Sequence, residues 1–588
     1  MKQKTLAVAL SLLIVIAMLA GCTSGQPTPT AAPGLSTTAP AAGTQAPQQT
    51  SGADQGDATG DSLYNAPGEL PIVFEKIDLS VFAPASTDIP RAESDMTKWM
   101  EEITNIHINW ETAAGDAYRE KMQLTLASGI YPDMIVPGVS YRIDKVTEQQ
   151  LGIQGIIVPL NEYFDNVSVG YANAFAEMPG MRDYMTALDG NIYSLPNVDG
   201  ALHIQYQNKM WLNMKWMENL NLEVPTTVDE FYDVLKAFKD NDANGNGDPN
   251  DEIPFSAAGS SALDVFLMNP FILTPATSRM WVNDGAIVFS VMEPGYREGV
   301  KYLARLYADG LMNPELFTWN ATTQINANEN GEEPILGAVL GMRPGNFTSL
   351  SGFPDHSRKW EQYYPIAPLA GVNGNETITN YNAYASTFQT GVAMITSSCE
   401  YPEAAFRMVD LLATPEMSII TTNGPENQGW RYAEAGEIGL DGNPAKVRIL
   451  TGDRPENWGG WDQLMGRVQT PAYLASLYYD QDPYGDGVDP MQGRQVILYQ
   501  ASLPHQAVSQ SLASVLPDLY YEDSVIDELS LLQTTITDYV NEMLVAFVTG
   551  ARNVDSDWDG YMSQLKTLGA ERYIQIVQET YDASAFAK

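Results

Sequence analysis

IDLSVFAPASTDIPRAESDMTKWMEEITNIHINW, residues Ile77 to Trp110, is the stretch from which the fold class is read. Ile77 to Ala83 alternates apolar and β-branched residues with polar ones, the period of a strand. Asp95 to Thr104 has helical spacing, and Ile106 to Trp110 reads as the next strand. Beyond it Tyr118 to Ser128 is helical again and stops at Gly129, and Met134 to Val136, after Pro132, gives a third strand. Strand, helix and strand at this spacing imply parallel strands joined by crossover helices, an α/β sheet. The chain is 588 residues long, more than one ordinary core accommodates, so two lobes are expected.

Upstream the composition changes. Residues 23–68 are Thr, Pro, Ala, Gln, Gly and Ser with almost no large apolar side chain, which cannot bury enough surface to fold. About 46 residues of flexible coil span roughly 35–40 Å end to end, a tether. Ahead of it Lys2 and Lys4 precede an apolar run, Thr5 to Ala20, shorter than the roughly 20 residues that span a bilayer. The run ends in Leu19-Ala20-Gly21-Cys22, which resembles a bacterial lipobox: residues 1–22 read as a lipoprotein signal peptide, with the Cys22 thiol taking the lipid.

The net charge is −41. A surface this acidic repels nucleic acid and anionic headgroups at long range, so neither is expected as a partner. With Cys22 lipidated, Cys399 stands alone and no internal disulfide forms. Four histidines in the whole chain leave little for imidazole-based catalysis or metal binding.

Several stretches resemble the family 1 extracellular solute-binding proteins. They are LASGIYPDMIV (Leu126 to Val136), GIIVPLNEYFD (Gly155 to Asp165), DGNIYSLPNV (Asp189 to Val198), and MWLNMKWMENLNLEVPTTVDEFYDVLKAFKDNDANGNGDPNDEIPF (Met210 to Phe255). Further matches are YLARLYADGLMNPELF (Tyr302 to Phe317), YPEAAFRMVDLLATPEM (Tyr401 to Met417) and SDWDGYMSQLKTLGAERYIQI (Ser556 to Ile576). The long central stretch is similar to the lipoprotein branch of Gram-positive bacteria, related to alginate-oligosaccharide-binding proteins.

That resemblance implies a periplasmic-binding-protein-like fold of type II over residues 69–588: two α/β lobes joined by a hinge, with the ligand cleft between them. The crossings are expected near Pro196 to Gln205 and Ala370 to Ile378. Lobe one would hold about 69–198 and 376–418, lobe two about 202–370 and 419–588. The implied function is capture of an oligosaccharide, by a monomer lipid-anchored on the outer face of the cytoplasmic membrane. The implied partners are the transmembrane subunits of an ABC permease. A sensor lipoprotein that presents its ligand to a membrane kinase would use the same clamp.

DNDANGNGDPNDE, Asp240 to Glu252, follows a helix expected over Thr227 to Lys239 and carries the only constellation with ion chemistry. Oxygen ligands alternate at Asp242, Asn244 and Asn246, Gly247 permits a sharp turn, and Asp248, Asp251 and Glu252 follow. This resembles the start of an EF-hand loop and suits calcium, which takes six to eight oxygens. It departs from an EF-hand in lacking the glutamate twelve residues after the first ligand. Alginate-type binding proteins carry a related calcium loop here, and the Pro249-Asn250 insertion leaves open which of Asn250, Asp251 and Glu252 ligate. The alternative is a polar turn without metal; either role is structural.

For the sugar, aromatic faces and polar groups in loops after strands are the candidates: Tyr141, Tyr206, Arg343, and the glycine-flanked Trp430, Trp458 and Trp461. Trp211, Trp216 and Trp281 lie in apolar periodic segments and read as core. A secreted glycoside hydrolase would need paired carboxylates across a cleft, and no acidic pair sits in a recognisable catalytic motif. There is no GxSxG, HExxH or Gly-rich phosphate loop. The expectation is a binding protein and not an enzyme.

Overall fold

The computed structural model describes residues 63–86, 89–258, 263–276, 278–350, 358–372, 376–450, 455–461, 463–479 and 490–587. The chain divides into Met1–Asp61 and Ser62–Lys588. The signal peptide, Cys22 and the tether up to residue 62 lie outside the described residues.

The second unit runs through two sheets in alternation. The chain lays down β1 (Ile77–Pro84), β2 (Ile106–Ala113), β3 (Met134–Ile135) and β4 (Leu195–Asp199), then crosses to β5 (Lys209–Asn213), β6 (Ile253–Ser256), β7 (Leu336–Gly341) and β8 (Tyr363–Pro365). It returns as β9 (Phe388–Ile395) and β10 (Val468–Gln469). The lobe-one sheet has the order β10-β4-β9-β3-β1-β2 and the lobe-two sheet β8-β5-β7-β6. β1 lies parallel to β2 in register from Ile77 opposite Ile106 to Pro84 opposite Ala113, and parallel to β3. This is the α/β arrangement that the alternation of strand and helix implies.

The crossover helices form where the sequence caps them. Asp95–Thr104 starts at Ser94, whose side chain accepts from the Thr97 N–H, and ends at Asn105 in the left-handed region; Met96, Thr97, Met100 and Thr104 face inward. Val228–Asp240 opens with a capping box between Thr227 and Glu230 and buries Val228, Phe231, Val234, Leu235 and Phe238, one helical face. β9 bulges between Gln389 and Ala393. Gly391 has φ +68° there, and a Cβ would stand 2.2 Å from the Ile143 carbonyl oxygen, so only glycine fits.

Each lobe has its own core. One joins residues 210–369 to the C-terminal helices Asp523–Val548, Val554–Thr567 and Ala570–Ala583. The other joins residues 72–198 to 383–477. Among the described residues no helix is long and apolar enough to cross a membrane.

Two boundaries differ from those read in the sequence. Residues 419–479, assigned above to lobe two, belong to lobe one: β10 pairs parallel with β4, and Trp430, Trp458, Trp461 and Tyr473 fill the lobe-one core. Residues 63–68, read as the end of the tether, are held on lobe one. The Arg407 guanidinium donates to the carbonyls of Asn65 and Ala66, at 2.8 Å each, and Leu63 and Tyr64 pack against the core. The crossings between the two sheets fall between β4 and β5 and between β8 and β9.

Candidate ligand-binding cleft

Because β1, β2 and β3 run parallel, their carboxyl ends share one edge of lobe one, where open α/β sheets place ligands. Arg91 sits at the end of β1, its Nε donating to the Pro84 carbonyl at 2.6 Å and its guanidinium 5.9 Å from the Trp110 ring centroid. Trp110 meets Trp461 edge to face at 5.5 Å. On the other side Tyr118 stacks on Phe82 at 4.8 Å and touches Tyr141 at 5.0 Å, and Arg119 lies 5.1 Å over the Tyr141 ring. The indole N–H groups of Trp110 and Trp461 and the Tyr118 hydroxyl are buried with no hydrogen-bond partner. Burial pulls the Arg91 guanidinium down to about 10, with the Tyr118 phenol close by. Burial in turn raises the Tyr118 phenol.

The segment bearing Trp458 and Trp461 is fixed over this edge by main-chain bonds. Asp95 N donates to Asn457 O at 2.9 Å, Met96 N to Trp458 O at 3.1 Å and Val139 N to Gln463 O at 2.9 Å.

In lobe two, β6, β7 and β8 point the same way and β5 runs against them. The edge that carries the start of β5 therefore also carries the end of β7, and Arg343 lies exposed two residues beyond Gly341. Tyr206, buried in the first crossing, stacks on Tyr381 of the second at 5.5 Å and 14°. Lys209 is fully buried and its ammonium donates to the Tyr206 carbonyl; loss of water lowers it to about 7. His203 is pushed down to about 3, first by desolvation and then by Lys209, with Arg494 and Arg343 adding and Asp199 opposing. Asp199 is itself paired with Arg467 at 2.9 Å.

Of the residues singled out in the sequence, Tyr141 packs against Tyr118 on the lobe-one edge, Trp461 is fully buried beneath it against Trp110, Arg343 lies on the lobe-two edge, and Tyr206 is in the hinge. Trp430 and Trp458 are interior. Their indole N–H groups donate to the Gly424 and Ile420 carbonyls, at 3.0 Å each, and Trp430 also lines a separate cavity of about 500 Å³ with Tyr473. Trp211 and Trp216 are core, and Trp281 is half-buried on a two-stranded hairpin. Arg91, Trp110 and Tyr118 were not among the residues singled out; Trp110, within β2, and Tyr118, just beyond it, could have been picked from their place near the carboxyl end of that strand, and Arg91 could not.

The acidic loop closes on itself. Asp242 accepts from Gly245 N and Gly247 N at 2.9 Å each. Asp251 accepts from the side chains of Asn244 and Asn246 at 3.2 and 2.7 Å. Asn246 Oδ1 accepts from Asp248 N at 2.8 Å. One Glu252 oxygen accepts from Ala243 N at 2.8 Å; the other is buried without a partner, and burial raises this carboxyl above its ordinary range. Among the described residues no three His, Cys, Asp or Glu side chains are grouped to hold a metal ion.

Over 518 residues the chain is 27% identical to the fructooligosaccharide ABC transporter substrate-binding protein FusA of Streptococcus pneumoniae, covering 86% of this chain and 89% of FusA. The structure of FusA with kestose superposes with a TM-score of 0.64 at 24% identity, covering 86% of this chain and 99% of that one. A FusA EF-hand mutant with fructo-nystose gives 0.62 at 23%, covering 86% and 99%. An HMO-binding ABC-transporter-associated solute-binding protein from Bifidobacterium longum infantis gives 0.69 at 20%, covering 86% and 99%. Alginate-binding protein AlgQ2 without calcium ion gives 0.60 at 20%, covering 87% and 99%. These likenesses show the fold, periplasmic-binding-protein-like of type II. Residues 84–418, more than half of the sequence, match the bacterial extracellular solute-binding proteins, and the chain belongs to that family.

Proposed function

We propose that this chain captures an oligosaccharide between its lobes and delivers it to the membrane subunits of an ABC permease. The observation that carries this reading is the aromatic edge at the ends of β1 and β2, where Trp110, Tyr118 and Trp461 hold buried donors without partners. A buried donor left unpaired costs about 1–3 kcal/mol, and a ligand bearing many oxygens removes that cost on binding. Tyr141 offers a ring face for the apolar side of a pyranose or furanose. Family membership and the named cargo of FusA support a sugar.

Hinge closure through the crossings between the sheets would bring Arg343 of lobe two to a ligand first held on lobe one. The closed form would then present both lobes to the permease. Cys22 would carry the lipid, holding the protein on the outer face of the cytoplasmic membrane through the tether. The protein would act as a monomer and leave the sugar uncut.

Asp242, Asn244, Asn246, Asp248, Asp251 and Glu252 are the residues that would hold a calcium ion. They fit it: the loop is all oxygen donors, and the unpartnered Glu252 oxygen is the kind of buried charge that a hard cation would neutralise. The EF-hand of FusA supports this. The role would be structural, in a loop that follows the helix Val228–Asp240.

The test is calorimetry of the full chain against a panel of oligosaccharides, with chromatography of the recovered ligand. Saturable binding with intact sugar is expected, and Trp110→Ala or Trp461→Ala should weaken it at least tenfold. Shortened products would replace this reading by hydrolysis, and no binding across the panel would remove sugar as the cargo.

A further inference from the structure

Resting on the capture reading above, we propose that the cargo is an acidic oligosaccharide whose carboxylate is received by Arg91 on lobe one, with Arg343 as the cation on the opposing lobe. The chain has 73 acidic side chains against 32 basic ones; Arg119 and Arg142 also donate to main-chain carbonyls without an ion pair among the described residues, and what sets Arg91 apart is its place beside the Trp110 ring. Arg91 is half-buried, its one hydrogen bond goes to the Pro84 carbonyl, and no acidic side chain pairs with it among the described residues. Its remaining N–H groups face the same edge as the unpartnered Trp110 and Tyr118 donors. Arg343, exposed at the end of β7, has no carboxylate partner among the described residues either.

The chemistry of the donors makes the choice. Two indole N–H groups and a guanidinium donate and cannot accept, and the one phenol, which can do either, is the sole acceptor among them. A sugar hydroxyl bound only by donors leaves its own hydrogen unpaired, which a buried site penalises. A carboxylate carries no hydrogen and offers about four acceptor positions, and its planar geometry matches the guanidinium fork. The negative surface does not oppose this, because exposed charges more than about 8 Å away are screened at physiological ionic strength.

The experiment is titration calorimetry of the full chain with uronate oligosaccharides of galacturonate, mannuronate and glucuronate type, each beside its methyl ester. Neutral fructo- and manno-oligosaccharides form the third arm. The ester keeps shape and hydroxyls and removes only the charge. We expect at least one acidic ligand to bind, its ester to bind at least tenfold more weakly, and the acidic affinity alone to fall as salt is raised. Arg91→Gln should narrow the gap between the acid and its ester to less than twofold, whereas Arg91→Lys should keep part of the difference. Equal affinity for acid and ester, or binding of neutral sugars alone, overturns the proposal while leaving capture intact. Failure of every sugar overturns both. The ester comparison uses the unaltered protein, so the result stands even if a variant fails to fold.

Discussion

Asp410 joins two helices that lie some 240 residues apart in sequence, and its removal should be felt across lobe one. Its carboxylate, 3% exposed, accepts from the Ser168 hydroxyl and Val169 N at 2.6 Å each, Tyr171 N at 3.0 Å and Gly170 N at 3.1 Å. It thereby satisfies the first N–H groups of the helix Gly170–Glu177, which has no side-chain cap of its own. Asp410→Ala leaves these backbone donors buried and unpaired. One bond to a charged group is worth about 1.5–3 kcal/mol and such bonds do not add fully, so the expected loss is about 4 kcal/mol. That is close to a thousandfold in the unfolding constant of lobe one. Urea unfolding followed by tryptophan fluorescence measures it. Hydrogen exchange should locate it, with Val169 to Tyr171 losing protection while the lobe-two helix Val228–Asp240 keeps its own. Asp410→Asn should recover less than half, since an amide turns one acceptor into a donor. A loss below about 1 kcal/mol, or exchange that changes equally in both lobes, would refute the capping argument.

Three further outcomes follow from other sites. Glu148 is raised to about 7 and Lys145 lowered to about 7, in each case mainly by burial. A raised carboxyl loses stability as pH climbs from its unfolded value towards 7, and a lowered amine regains it above 7, so unfolding free energy should dip near pH 7 by on the order of 2 kcal/mol. Lys145→Met with Glu148→Gln should flatten that dip; an unchanged profile would exclude the pair as its source. Glu252→Gln should reverse sign with calcium: in chelator it removes a buried unpaired charge and raises the melting temperature, and in saturating calcium it lowers it. A shift of one sign in both conditions would count against calcium at this loop. Gly391→Ala, facing the Ile143 carbonyl from a left-handed position, should cost about 3 kcal/mol in urea melts, and a neutral result would mean that the bulge relaxes.

The fold class was legible because β1, the helix Asp95–Thr104 and β2 each carry their own period and caps, which are local properties. The acidic loop was legible for the same reason. The placement of residues 419–479 was not. It depends on the two-residue pairing of Val468 and Gln469 with β4 and on the Trp458 indole reaching the Ile420 carbonyl, contacts no local pattern encodes. The glycines around Trp430 read as a loop open to ligand. Gly429 instead allows a close approach, since a Cβ there would lie 1.5 Å from the Asn423 carbonyl oxygen, and the turn folds its tryptophan inward. Arg91 was invisible because its signature is a missing partner, and a sequence shows which charges exist, not which of them meet.

The way the chain shuttles between lobes has a consequence for its assembly. Lobe one needs residues 77–199 together with 388–477, and lobe two needs 209–369 together with 523–581. No continuous stretch holds either core, so a chain emerging from its amino end has neither half complete until about four-fifths of it is made. Pairings this distant are slow to find and leave apolar faces uncovered while the search lasts. Whatever shelters that nascent surface determines the yield of finished protein as much as its final stability does.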